Sequence, residues 1–168
     1  MNTKDTITRV YREAVASYGP EGINRPEAIE SAAATLLVEV RAGRLDIDME
    51  SAIRAELRKV DEYDGRAADA IIERAAYGAE PLTADDLDVV VTLGRGLRKA
   101  WRDVSPADLE QMNEIRYDNY RKVRTSFEKF NTAVGRIKQV VLDHGTVGAA
   151  YEAGGFPPAT ATAESGAA

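Results

Sequence analysis

The side chains able to do chemistry are few and scattered. His144 is the only histidine and cysteine is absent. Disulfides, thiolate nucleophiles and thiolate metal sites are thereby excluded, and a Ser-His-Asp arrangement would have to use a residue beside a glycine near a helix end. Carboxylates gather at Asp61, Glu62 and Asp64 and again at Asp85, Asp86 and Asp88. Converging pairs of acids can share acid–base work, but acids in such short loop runs also face solvent or cap helices. Asp46, Asp48 and Glu50 are spaced like the start of a calcium loop, yet the turn glycine and the distal bidentate glutamate are not at the required offsets. The residues therefore favour a non-enzymatic protein with no metal, no cofactor and no small-molecule substrate.

A second group could grip a polyanion. Arg95, Arg98, Lys99 and Arg102 surround Trp101, and basic side chains with an aromatic can hold a phosphate backbone and stack a base. Alternatively Trp101 anchors the segment to a core while the charges are solvated. Further on, the run from His144 to Phe156 resembles the first helix and turn of a helix-turn-helix motif, with a small alanine pair and a glycine turn. Where a recognition helix should follow, the chain has Pro157, Pro158 and small residues, with no side chain to read a base. This run is expected to act as a short cap, over about 146–156, on the helix before it.

The third group is apolar. Tyr120, Val123, Phe127, Phe130, Val134, Ile137 and Val141 alternate spacings of three and four, which keeps a seam on one side of a helix and requires something to cover it. Packing inside the molecule and pairing with a partner or second copy both satisfy that requirement. If the segment and seam are exposed, Leu97, Trp101, Tyr120, Val123, Phe127, Phe130 and Val134 are the contact residues, because large rigid side chains dominate interface energetics.

These groups sit on a mainly α pattern. Asn2 or Thr3 can cap a helix to about Ser17, and Pro26 opens a second that stops at Gly43. Asp46 or Asp48 can cap a third helix, with Tyr63-Asp64-Gly65 breaking or bending it before a fourth. Residues 1–80 thus read as an N-terminal helical bundle. Over 81–104, the β-branched Val89-Val90-Val91-Thr92-Leu93 and the turn Gly94-Arg95-Gly96 predict a β-hairpin whose second strand runs from Leu97 to Val104. Ser105-Pro106-Ala107-Asp108 is a helix start, and the helix it launches, over 105–145, would extend roughly 55–60 Å. That exceeds the width of a compact domain of this size, so part of it should project or bend. The segment 157–168 has little to bury and is expected to be mobile.

The net charge is −6 over 168 residues, which disfavours indiscriminate nucleic-acid binding. Residues 1–93 carry 11 basic and 19 acidic side chains, a balance of −8, whereas 94–168 carry 11 and 9, a balance of +2. The C-terminal part, with Arg121, Lys122 and Arg124 beside the seam, is where nucleic acid would bind. The N-terminus lacks the features of a signal peptide and no stretch approaches membrane-spanning length, so a cytoplasmic location is expected. From Val89 to Glu110 the sequence Val-Val-Val-Thr-Leu-Gly-Arg-Gly-Leu-Arg-Lys-Ala-Trp-Arg-Asp-Val-Ser-Pro-Ala-Asp-Leu-Glu, with the Ala, Arg, Asp and Val usage of the whole chain, resembles small uncharacterised proteins of actinobacterial phages. The resemblance implies a phage or high-GC bacterial origin, hence a bacterial host cytoplasm, and assigns no activity. The function expected is that of an accessory protein working through a homodimer or a protein partner. A DNA- or RNA-associated regulator using the basic hairpin is the alternative.

Overall fold

The computed structural model describes the backbone of residues 2–156 except 48, 79, 95 and 120–123, and the side chains of the same residues except 115–119 and 124–127. The chain is mainly α, with one β-hairpin and a long C-terminal helix.

Local sequence sets the helix starts. The Asn2 side chain accepts from the Asp5 amide at 2.8 Å and opens α1 (Thr3–Ala16). Asn24 accepts from the Glu27 amide at 3.0 Å and opens α2 (Arg25–Arg41), with Pro26 in the first turn, where no N–H is needed. Between them lies the two-residue strand β1 (Ile23–Asn24). The chain reaches it through Gly22, at φ +74° and so close to the neighbouring strand that a Cβ would lie 2.8 Å from the Arg98 carbonyl oxygen. Only glycine satisfies both demands.

The third and fourth helices expected from the sequence are one. Helix α3 (Glu50–Tyr77) runs unbroken for 28 residues through Tyr63-Asp64-Gly65. A mid-helix glycine costs only about 1 kcal/mol, and Asp64 is buried and ion-paired rather than turning the chain. The α3 N-cap is Met49, with no side-chain cap hydrogen bond, so Asp46 does not cap the helix, and Asp48 lies outside the described residues.

Strands β2 (Val90–Gly94) and β3 (Leu97–Ala100) form the hairpin, and β1 pairs antiparallel on the far side of β3. The register slips between Thr92 and Gly94, a bulge that matches the glycine-rich turn. The second strand is shorter than expected. It ends at Ala100, and Trp101–Asp103 turn as one short 3-10 helix, so the alternating faces read over 97–104 stop at Ala100.

Residues 105–145 are divided between α4 (Pro106–Asn119) and α5 (Arg124–Leu142), which pack against each other. The Lys138–Glu110 ion pair links positions 28 residues apart, so the span doubles back as an αα-hairpin. Folding back keeps the apolar side of α5 against α3 and α4 instead of extending it into solvent. The α4 start is as read. Ser105 Oγ accepts from the Asp108 amide at 3.2 Å and Asp108 accepts from the Ser105 amide at 2.9 Å, a reciprocal cap. The short helix α6 (Val147–Glu152) is capped by Thr146.

Two apolar clusters result. One joins α1, α2 and the N-terminal half of α3 with Ile23, Leu45 and Val90. The other joins the C-terminal half of α3 with β2, Trp101, α4, α5 and α6. Helix α3 spans both.

Candidate interaction site and its buried charge network

The seam on α5 is anchored at its C-terminal end. Phe130, Val134, Ile137 and Val141 are all buried in the cluster shared with α3 and α4, so Phe130 and Val134 serve the core. Tyr120 and Val123 lie outside the described residues, and Phe127 is described in its backbone alone, as part of α5. In the sequence the seam spacing continues through these three positions.

The hairpin aromatic is core as well. Trp101 is 0% exposed, its amide donates to the Val89 carbonyl at 2.9 Å, and Leu97 packs partly buried against the same cluster. Trp101 presents no free surface in the folded chain, whereas Leu97 stays partly exposed.

The described basic residues of the hairpin segment are engaged. Arg98 turns inward and donates from Nε and Nη2 to the two Asp61 carboxylate oxygens at 2.5 and 3.0 Å. The buried Lys99 Nζ donates to Asp108 Oδ2 at 2.6 Å. Arg102 pairs with Asp88 at the surface. Arg95, Arg121 and Lys122 lie outside the described residues, and the Arg124 side chain is likewise undescribed. On the outer side of the αα-hairpin, Arg136 lies over the Tyr77 ring at 4.6 Å and Lys138 holds Glu110.

The densest chemistry in the molecule was not legible as such. Asp61 and Asp64, read from sequence as loop acids, stand in the middle of α3 where the two clusters meet, 4% and 0% exposed. Asp61 accepts from the Tyr11 hydroxyl at 2.5 Å and from Arg98, and Arg25 Nε lies 2.9 Å away. Asp64 accepts from Arg12 Nε and Nη2 at 2.9 and 2.6 Å and from the Val90 amide at 3.3 Å. Four elements thus converge on one turn of α3. The sequence signal available was the spacing. Asp61 and Asp64 continue the apolar stripe of Ile53, Leu57, Val60 and Ala68 at helical intervals, which a helix broken at Gly65 concealed.

Burial alone pushes the Asp61 carboxyl up, but hydrogen bonds from Arg98 and Tyr11 and the charges of Arg98 and Arg25 outweigh it and hold the group below the ordinary carboxylate range. Burial raises the Tyr11 phenol far above its ordinary value, and the hydrogen bond to Asp61 raises it further. Each proton is thereby fixed well away from neutral pH. The arrangement is suited to joining α1, α2, α3 and β3.

The other acids are also placed. Asp86 accepts from Arg74 at 2.8 and 3.0 Å and caps the turn at Thr83, whereas Asp85 and Glu62 are exposed. His144 is exposed at the end of α5. Among the described residues no group of three or more His, Asp or Glu side chains could hold a metal ion, and no helix is long and apolar enough to cross a membrane. The segment resembling half a helix-turn-helix is a clasp. The Val147 amide donates to the Val104 carbonyl at 2.9 Å, and Gly148 lies so close to Arg102 that a Cβ would stand 2.8 Å from its carbonyl oxygen. Comparison with protein-family models, curated proteins and solved structures finds no match to this chain.

Proposed function

We propose that this chain is a non-enzymatic accessory protein, of phage type, that acts through protein–protein contacts made at the connecting end of the α4–α5 hairpin. The observation that carries the reading is the length of the apolar seam. Four seam residues, from Phe130 to Val141, are buried in the core, and in the sequence the apolar spacing extends through Phe127, Val123 and Tyr120. An apolar stripe of that spacing requires a cover, and a partner helix is one way to supply it. Phe127 is the residue expected to contribute most, with Tyr120 and Val123 beside it.

Binding of DNA or RNA is the competing reading, and the ion pairs of Arg98, Lys99 and Arg102 weigh against it, since each cation already has a carboxylate partner. The discriminating experiment recovers the tagged full chain from its source cells at native expression and measures its mass by light scattering, before and after nuclease treatment at high salt. A mass above 18.3 kDa that survives both treatments supports protein contacts. A mass that collapses with nuclease or with salt supports nucleic acid instead.

A further inference from the structure

A second surface lies on the opposite side of α3, away from the seam. Tyr63, Arg66, Ala67, Ala70 and Arg74 follow one another at helical spacing and line a cleft of about 650 Å³, together with Asp85 and Asp86 of the 3-10 helix Asp85–Asp88. Tyr63 is 63% exposed, among the most exposed large apolar side chains described. Arg12 and Arg74 in this cleft are each held by a carboxylate, at 2.6 Å to Asp64 and 2.8 Å to Asp86. Arg66 and Asp85 are both exposed, line the same cleft, and have no ion-pair or hydrogen-bond partner among the described residues.

We infer that this cleft is a self-association surface, in which α3 of one copy packs antiparallel on α3 of a second copy about a two-fold axis near residues 68 and 69. The argument is self-complementarity. A two-fold axis presents the same patch twice, so every feature needs its complement within the patch. Antiparallel pairing about that centre sets Ala67 opposite Ala70 of the second copy, where the absence of bulk lets the two backbones approach. It sets Tyr63 opposite Arg74, an aromatic face opposite a guanidinium whose edge is already held by Asp86. It also brings the unpaired Arg66 on the helix toward the unpaired Asp85 on the other copy's 3-10 helix, and the symmetry makes that pair twice. A partner carrying a single sign of charge satisfies one of those two residues and opposes the other. A second copy satisfies both.

The patch covers little more than three helical turns, so the dimer belongs to the weak class. Light scattering of the purified full chain, from micromolar concentration up to about 1 mM, tests it. The mass is expected to climb toward twice 18.3 kDa. Arg66→Glu and Asp85→Arg, each an exposed change that leaves the core intact, should each weaken association by about tenfold or more, and the double variant should recover most of it. Circular dichroism confirms that each variant keeps its helices. A chain that stays monomeric throughout overturns the inference. So does a dimer indifferent to both charge reversals, or one abolished by Phe127→Asp instead, a result that leaves the proposed contact at the α4–α5 end standing.

Discussion

Removing the Asp61 carboxylate should be among the most damaging single changes in the molecule. Asp61→Ala withdraws the acceptor of the Tyr11 hydroxyl at 2.5 Å and of Arg98 Nε and Nη2 at 2.5 and 3.0 Å. Arg98 is 8% exposed and its Nη1 already has no hydrogen-bond partner among the described residues, so the variant strands a buried guanidinium. Breaking a buried pair from one side costs about 3–5 kcal/mol, a large part of the roughly 5–15 kcal/mol by which a domain is stable. Arg98→Met should cost less, about 1–3 kcal/mol, because Asp61 keeps Tyr11 and Arg25. The double variant should be more stable than the two losses added together, by about 1–3 kcal/mol of coupling. Urea denaturation followed by Trp101 fluorescence and by circular dichroism measures all three. Trp101 is the only tryptophan and sits in the C-terminal cluster, whereas Asp61 and Arg98 lie where the two clusters meet. A loss below about 1 kcal/mol for Asp61→Ala, the size expected of an exposed pair, would refute the reasoning.

Other expectations follow from the same structure. Asp88→Asn, which removes the surface partner of Arg102, should cost at most about 1 kcal/mol, because the two side chains are 49% and 41% exposed; the same urea experiment checks the contrast with Asp61. Asp61 and Asp86 are held below the ordinary carboxylate range, so the stability they confer is complete above that range and is lost as pH falls through their depressed values. Burial raises Asp103 despite the charges of Arg102 and Lys99, and it acts in the opposite sense. Thermal melts between neutral pH and about pH 2 should show a net fall that is shallower in Asp61→Asn. Gly65→Ala should raise stability by about 0.4–1 kcal/mol, since Gly65 is helical with open space at its Cβ position; a loss on denaturation would restore the idea of a bend there. Gly148→Ala should be destabilising, by about 1–3 kcal/mol, because its Cβ would meet the Arg102 backbone.

Much of the architecture was legible because local signals agreed with the final packing. Asn2, Ser105 and Thr146 cap the helices they precede, Pro26 stands in the first turn of α2, and the β-branched run before Gly94-Arg95-Gly96 folds as a hairpin. The readings that failed are those in which tertiary contacts outweigh a local rule. Tyr63-Asp64-Gly65 carries turn residues, but Asp64 bonded to Arg12 and the Val90 amide is worth more inside a helix than at a bend. Arg98 and Lys99 look like solvated or phosphate-binding charges until β3 is seen packed near α3 and α4, where Asp61 and Asp108 await them. Periodicity identifies the seam but not its cover, so sequence alone could not apportion it. Phe130 and Val134 belong to the core, and the side chains of Phe127, Val123 and Tyr120 lie outside the described residues.

The central claim is that the outer seam residues serve contact rather than folding, and a comparison of Phe127→Asp with Phe130→Asp tests it most directly. Phe130 is buried in the cluster of α3, α4 and α5, so a carboxylate there should destabilise the chain by about 3 kcal/mol or more. Phe127→Asp should leave the urea midpoint nearly unchanged while reducing the nuclease-resistant assembly recovered from source cells to the mass of the free chain. An undiminished assembly in Phe127→Asp, or unfolding of that variant as severe as that of Phe130→Asp, would contradict the account.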